Sequence, residues 1–196
     1  MKVLLNIKGK PIVQQDDGSI SFTGEFCVDA DGSPNAYGPD GKGLDFLANA
    51  GHPGSWWGIV TDELGYPVLQ GESDPSPGHY ISTTSYQRKE FHASDPRRYL
   101  DSEKVVYIVV PAPLARAAEG IVLGCKCEII DTRTGASVEG VVGDLGPATH
   151  LGEASIAAAR SLQINPDPKG GGCGDKSFRY TFWPGVAAKG FTLQHL

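Results

Sequence analysis

The sequence predicts a mainly β fold in one globular domain, and three observations indicate it. The chain has 196 residues, of which 40% are hydrophobic and 20% are charged, a balance that suits a single domain with a real core. Its 26 glycines and 14 prolines are spread along the chain, as expected for many short strands joined by turns. Only one long stretch, residues 153–162, has the apolar spacing of an amphipathic helix. We therefore expect a β-rich core with one amphipathic helix and long loops.

The N-terminal part divides into an arm and the start of the main domain. Residues 1–20 predict an extended arm, with a short strand at 10–13 and a turn at 16–19, and residues 21–196 form the domain proper. Polar and apolar residues alternate from 20 to 28, which predicts a strand. The loop that follows, residues 29–40, is rich in Asp, Gly and Pro, and such a loop at the end of a strand often carries function.

The remaining elements follow from β-forming residues and turn signals. Residues 44–50 predict a short helical piece that ends at Gly51. Further strands are expected at 57–62 and 67–70, which form a hairpin, and at 80–86, 105–110, 125–131, 137–142 and 178–185.

The charge balance and the hydropathy exclude two classes of partner. With 17 basic and 23 acidic residues the net charge is −6, and no basic stripe is present that could follow a phosphate backbone, so nucleic acid is not an expected partner. An acidic surface suits a polycation, although many proteins are mildly acidic for solubility alone. No stretch approaches the roughly 18 apolar residues of a membrane helix, so no membrane is expected, and residues 1–8 break off too early for a signal peptide.

The four cysteines, Cys27, Cys125, Cys127 and Cys173, allow two disulfides but lack the spacing of a zinc site. Cys125 and Cys127 lie two residues apart in a predicted strand, so they share one face and either pair with distant partners or stay reduced. The histidines are scattered, and neither a Ser-His-Asp arrangement nor a phosphate-binding loop is present. We expect no metal and no cofactor.

The segment 141–155 is the most informative part of the chain. A predicted buried strand ends near Asp144, Gly146-Pro147 turns the chain, and Glu153 stands at the start of the predicted helix. Hydrolysis of a glycosidic bond needs one carboxyl group as acid and another as base or nucleophile, which Asp144 and Glu153 can supply. In the alternative interpretation, Asp144 only accepts hydrogen bonds from turn amides and Glu153 only caps the helix.

This segment resembles the second half of double-psi β-barrels, such as those of rare lipoprotein A, expansins and family 45 endoglucanases. The resemblance implies a six-stranded, double-psi β-barrel-like core. Five blocks in order also resemble the fungal-type chitosanases of glycoside hydrolase family 75, over about residues 26 to 193: Phe26–Pro39, Gly43–Asp45, Trp57–Val60, Tyr80–Thr84, and Gly143–Pro147 with Gly152–Ser155.

The family resemblance implies an endo-acting chitosanase. It implies hydrolysis of β-1,4 bonds of chitosan with Asp144 and Glu153 as the catalytic pair, for which we expect an inverting mechanism and a monomeric enzyme. Members of this family are generally secreted, whereas the first residues here do not resemble a signal peptide. Two other functions stay open: a hydrolase of the peptidoglycan glycan, and a non-catalytic, expansin-like module that binds polysaccharide.

Further residues are predicted to contact the substrate. Because chitosan carries an amine on most sugars, Asp29, Asp31 and Asp45 are candidates for subsites, and Asp29 or Asp45 is an alternative catalytic base. Asp29 and Asp31 also fit an Asx turn, while Asp40 is a poor match for the last ligand of a calcium loop. Tyr37 is expected to stack on a sugar ring, with Trp57 in the core instead.

His150 lies between the two acids in the sequence. It is expected to contact sugar hydroxyls or to tune one of the two carboxyl groups.

Overall fold

The computed structural model describes residues 1–195 and shows a mainly β protein built on a closed six-stranded barrel. The strands are β1 (Lys2–Ile7), β2 (Lys10–Gln14), β3 (Ile20–Asp29), β4 (Gly51–His52), β5 (Ser55–Trp56), β6 (Tyr107–Pro111), β7 (Cys125–Asp131), β8 (Ser137–Gly146), β9 (Glu153–Ser155) and β10 (Cys173–Ala187). Two short helices, α1 (Ala112–Ala117) and α2 (Ile156–Ser161), follow β6 and β9. Within the described residues, no helix is long and apolar enough to cross a membrane.

The barrel closes through β9, which is only three residues long. The strand order is β3-β10-β7-β8-β6-β9, and β9 pairs with β3 again. β9 is parallel to β3 and antiparallel to β6, while β6 is parallel to β8. The prediction of a mainly β, six-stranded barrel core is confirmed.

Aromatic side chains fill the inside of the barrel. Phe22 and Phe26 on β3 face inward, and the Phe22 ring stacks on Tyr180 with 4.8 Å between the ring centroids. Cys125 and Cys127 share one face of β7 as predicted and are both buried, and all four cysteines are free thiols. Since side chains alternate along a strand, the odd-numbered residues of β3 lie on the outer face of the barrel.

The expected arm at residues 1–20 is a hairpin that extends the sheet. β1 pairs with β2, and β2 pairs with β3. Ile7 and Ile12 belong to the same buried cluster as Ile20, so the hydrophobic core continues across the expected boundary between arm and domain. The hairpin turn consists of Lys8 and Gly9, whose φ angles are 48° and 77°.

The helix predicted at residues 153–162 begins later than expected. Glu153 and Ala154 pair with β3 and β6 as part of β9, and the Ser155 hydroxyl caps α2 by accepting a hydrogen bond from Ala158 N at 3.2 Å. Helix propensity is a weak preference, and closing the barrel satisfies the backbone groups of these residues on both sides. The prediction that Glu153 opens the helix is therefore wrong.

Residues 30–100 form an irregular layer over the outer face of β3, β9, β6 and β8. The strands predicted at 57–62, 67–70 and 80–86 are reduced to isolated bridges, such as Ile59 with Ser82 and Thr61 with Pro67. This layer has its own small core, made of Ala30, Ala36, Tyr37, Ala50, Ile59 and Ile156. A groove remains between the layer and the barrel.

Candidate active site

The groove between the barrel and the loop layer has a volume of about 570 Å³, and all of the predicted site residues line it. Five carboxyl groups line it, those of Asp29, Asp31, Asp45, Asp144 and Glu153. His150 and Tyr37 line it as well. Residues that are up to 124 positions apart in the chain are thus brought to one place by barrel closure.

The floor of the groove is a row of residues in register across four strands. Cys27 on β3 pairs with Glu153 on β9, Glu153 pairs with Val109 on β6, and Val109 pairs with Asp144 on β8. Residues that pair directly across strands point to the same face of a sheet. Asp144 and Glu153 therefore project into the groove from either side of Val109.

A bulge at Gly143 places Asp144 in this row. Ile108 pairs with Val142 and Val109 pairs with Asp144, so Gly143 is the extra residue of β8. A Cβ atom on Gly143 would lie 2.6 Å from Tyr107 Cβ, which is too close for any other residue. Without the bulge Asp144 would shift to the opposite face, because one residue of slip reverses the side chains.

Asp144 is buried and held by three hydrogen bonds. Its Oδ1 atom accepts from Ser85 N at 2.9 Å, from Ser85 Oγ at 2.5 Å and from Leu145 N at 2.7 Å. Burial raises the pKa of Asp144, while these hydrogen bonds oppose the rise because they favour the ionised form. All three bonds end on Oδ1, which leaves Oδ2 outside them. Ser85 was missed from the sequence, since it lies in a run of β-forming residues without any motif.

The carboxyl group of Glu153 has a pKa well above its usual range. Burial, then the charges of Asp144 and Asp45, raise its pKa to about 7. The nearest basic group is His150, whose Nδ1 lies 3.6 Å from Glu153 Oε2, beyond hydrogen-bond distance. Gly146 leaves room for this carboxyl group, because a Cβ atom there would lie 3.4 Å from Glu153 Oε2.

Asp29 and Asp31 form a buried network with two tyrosines. Tyr107 Oη lies 2.9 Å from Asp29 Oδ2 and 2.8 Å from the Asp31 carbonyl oxygen, and Tyr37 Oη donates to Asp31 Oδ1 at 2.6 Å. Asp31 N donates to Asp29 Oδ1 at 2.9 Å, which is the predicted Asx turn. Burial raises the pKa of both carboxyl groups well above the usual value, and so do the neighbouring acids, Glu153 first for Asp29 and Asp29 first for Asp31.

Two aromatic predictions are wrong. Tyr37 is only 2% exposed, so its ring supports the Asp31 carboxylate and offers no face to a sugar. Trp57 is 61% exposed on the wall of the groove, not in the core. The indole N–H of Trp57 donates to Asn49 O at 2.9 Å, which fixes the ring without burying it. Asp45 stands nearby, where it accepts from Phe46 N and from Asn49 Nδ2.

The only three-carboxylate group within 1–195 that fits a metal ion is Asp29, Asp31 and Asp144. Their carboxylate oxygens lie within 4.8 Å of one another, and oxygen ligands of this kind suit a hard cation. Each of the three already accepts a hydrogen bond from a hydroxyl group, of Tyr107, Tyr37 and Ser85 respectively. The expectation of no metal stays a prediction.

The arrangement combines two carboxyl groups with different environments. Glu153 lacks a hydrogen bond to its carboxyl group among the described residues, whereas Asp144 accepts three. One group can donate a proton near neutral pH while the other accepts one. No model of a known protein family matches this chain, and no curated protein matches it.

Proposed function

We propose that this protein is a glycoside hydrolase that cleaves β-1,4 bonds within an amino-sugar glycan, with chitosan as the substrate implied by the family resemblance. The observation that carries the proposal is the shared register of Asp144 and Glu153 with Val109. It presents two carboxyl groups to one groove from opposite sides of a single strand. Cleavage of a glycosidic bond requires this kind of pair.

Glu153 is the general acid in this proposal. A general acid must be protonated at the working pH, and a pKa of about 7 meets that requirement. The sequence left open that Glu153 points at helix amides, which would have made Asp144 the acid. Ser155 caps the helix instead, so that reason for the opposite assignment is removed.

Asp144 is the general base. Its hydrogen bonds from Ser85 and Leu145 stabilise the ionised form, which is the form that removes a proton from the attacking water. Asp29 and Asp45 also line the groove, but burial and the charges of Glu153 and Asp144 raise the pKa of Asp29 well above its usual value, which disfavours the ionised form that a base needs. Asp45 lies in the loop layer, outside the row of residues in register with Val109. We therefore retain Asp144 and place Asp29, Asp31 and Asp45 among the groups that surround the substrate.

The substrate assignment rests on charge and on the ordered blocks. A groove lined by five carboxyl groups favours a glycan that carries amines. Endo-action and chitosan follow from the resemblance to the family 75 chitosanases. The alternatives are distinguished by product: loss of turbidity of purified cell walls without activity on chitosan indicates peptidoglycan, and binding without new reducing ends indicates the non-catalytic module.

The test compares Glu153→Gln and Asp144→Asn with the unmodified protein on polymeric chitosan between about pH 4 and 8. We expect each variant to keep its fold and to lose turnover by a factor on the order of 100 or more. The exposed acids Glu63 and Asp40 provide matched controls, as Glu63→Gln and Asp40→Asn. Absence of oligomers at every pH from the unmodified protein contradicts hydrolysis of chitosan. Near-native turnover of a folded Glu153 or Asp144 variant removes that residue from the pair.

A further inference from the structure

A basic pocket of about 320 Å³ lies beside the groove, and the proposed hydrolysis does not use it. We define it by Lys8, Lys10, Lys176, Glu25 and His150, which line it together with Ile7, Thr149 and Leu151. Glu25 forms an ion pair with Lys10. Lys8 and Lys176 are exposed and make no ion pair within residues 1–195. Two positive charges are thus uncompensated, in a chain whose net charge is −6.

The basic pocket is continuous with the groove. His150 lines both cavities. On β3, Glu25 lies in the basic pocket and Cys27 lies in the groove, and these two residues are neighbours on the outer face of the strand, about 7 Å apart. Cys27 is in register with Glu153 on the neighbouring strand. The basic pocket therefore begins two residues along β3 from the residue that pairs with the proposed acid.

Lys8 lies at the turn of the N-terminal hairpin in an unusual backbone conformation. Lys8 and Gly9 form the two-residue turn between β1 and β2, and both have positive φ. Asn and Gly are the usual residues for such a turn, because a side chain in the left-handed region costs energy. The turn joins two paired strands, and the hairpin thereby places Lys8 in the lining of the basic pocket.

The positive charge of the pocket comes from its lysines and not from His150. Burial, followed by the charges of Lys8 and Lys10, lowers the pKa of His150, which favours the neutral imidazole.

We propose that the basic pocket binds a carboxylate carried by the glycan, on a sugar next to the one held at Glu153. This inference rests on the proposed cleavage of a β-1,4 amino-sugar glycan. Within that class it favours glycans with acidic substituents, such as the lactyl ether of muramic acid, over fully deacetylated chitosan, the substrate that the family resemblance implies. Lysine ammonium groups attract a carboxylate, whereas the amines of fully deacetylated chitosan are repelled by them. The pocket lining contains no arginine, the residue that suits bidentate contact with phosphate.

Binding is measured in the Glu153→Gln background, so that the glycan is not consumed. The probes are peptide-free glycan strands of alternating N-acetylglucosamine and N-acetylmuramic acid, and chitin oligomers of the same length, which lack the carboxylate. The test variant combines Lys8→Asn, which tolerates the positive φ, with Lys176→Gln. The matched control is Lys2→Gln, which removes a lysine from the same hairpin outside the pocket.

We expect the double variant to bind the muramic-acid strands more weakly by a factor of roughly 3 to 10, and the chitin oligomers with unchanged affinity. Added salt should weaken the first interaction in the parent and have little effect in the double variant. Equal loss, or no loss, for both glycans overturns the inference. Reducing-end assays of the unmodified protein keep the two proposals separate: lysine-dependent binding without any hydrolysis overturns the proposed function alone, and hydrolysis with lysine-independent binding overturns the pocket alone.

Discussion

Asp144 and Glu153 stand on the two strands that flank β6, and each is in register with the same residue of that strand, Val109. Their backbones are therefore two strand spacings apart, about 10 Å. The Glu153 carboxyl group lies near Gly146, on the strand that carries Asp144, so Glu153 leans across the groove toward its partner. Backbones this far apart leave room for a water molecule between the two carboxyl groups, so we expect the arrangement of an inverting enzyme.

This relationship predicts hydrolysis with inversion. Inverting enzymes hold their carboxyl groups roughly 6.5 to 9.5 Å apart, whereas retaining enzymes hold them about 5 to 5.5 Å apart. We expect the α-anomer to be the first product released from a β-1,4 glycan, detected by proton NMR before mutarotation equalises the anomers. Initial accumulation of the β-anomer would contradict the prediction and would point to a covalent intermediate.

Ser85 is predicted to tune Asp144 through its hydroxyl group. Ser85→Ala removes the 2.5 Å hydrogen bond to Oδ1 and keeps the one from the backbone N–H. The bond favours the ionised carboxylate, so its loss raises the pKa of Asp144. A base works when ionised; the acidic limb of the pH–rate profile should therefore move to higher pH, and kcat should fall by roughly 10-fold. Ser94→Ala, at an exposed serine, is the control. An unchanged acidic limb would exclude this role for Ser85.

The barrel strands were predictable because their patterns are local. Residues 125–131 form β7 with the predicted bounds, and the apolar run at 105–110 overlaps β6. The short β9 was missed because Glu153 and Ala154 have good helix propensity, and only the partners on β3 and β6 make them a strand. The sequence predicts an arm in place of the hairpin of β1 and β2, because the burial of Ile7 and Ile12 depends on the rest of the core.

The acidic residues of the candidate site were predictable from the sequence, whereas the residues that hydrogen-bond to them were not. The Asp-x-Gly-Pro turn pointed to Asp144, but its contact with Ser85 spans 59 positions and leaves no local pattern. Tyr37 is buried and Trp57 is exposed, the reverse of the prediction. A polar loop can bury a tyrosine when the hydroxyl group donates a hydrogen bond to a carboxylate, as Tyr37 does to Asp31. Composition does not tell which of two aromatics in the same layer becomes buried.

The alkaline limb of the pH–rate profile should report Glu153. A general acid is lost as pH rises through its pKa, so kcat/KM should fall above about pH 7. Asp45 is the third cause of the raised pKa of Glu153, after burial and Asp144. Asp45→Asn should therefore move the alkaline limb to lower pH, by less than about one unit. Asp40→Asn changes an exposed acid outside the groove and should leave the limb in place. A limb that stays near 7 in Glu153→Gln would assign it to another group.

Trp57 is predicted to be the platform on which a sugar ring stacks. Its indole is 61% exposed on the wall of the groove, and its hydrogen bond to Asn49 O holds the ring in one orientation before the substrate arrives. Trp57→Ala should raise KM for the polymer by a factor of roughly 3 to 10, as expected for the loss of one aromatic contact. The change in kcat should be small, because Trp57 makes no hydrogen bond to Asp144 or Glu153.

The control for this prediction is Tyr66→Ala, which removes an aromatic ring of similar exposure, 65%, that does not line the groove. Tyr66→Ala should leave KM unchanged, and both variants should melt near the temperature of the parent, because neither ring is buried. Trp57→Phe retains an aromatic face and loses the hydrogen bond to Asn49, so it should fall between the parent and Trp57→Ala. An equal rise of KM in Trp57→Ala and Tyr66→Ala would mean that exposed aromatics bind the polymer without regard to position, and Trp57 would lose its assignment to the groove.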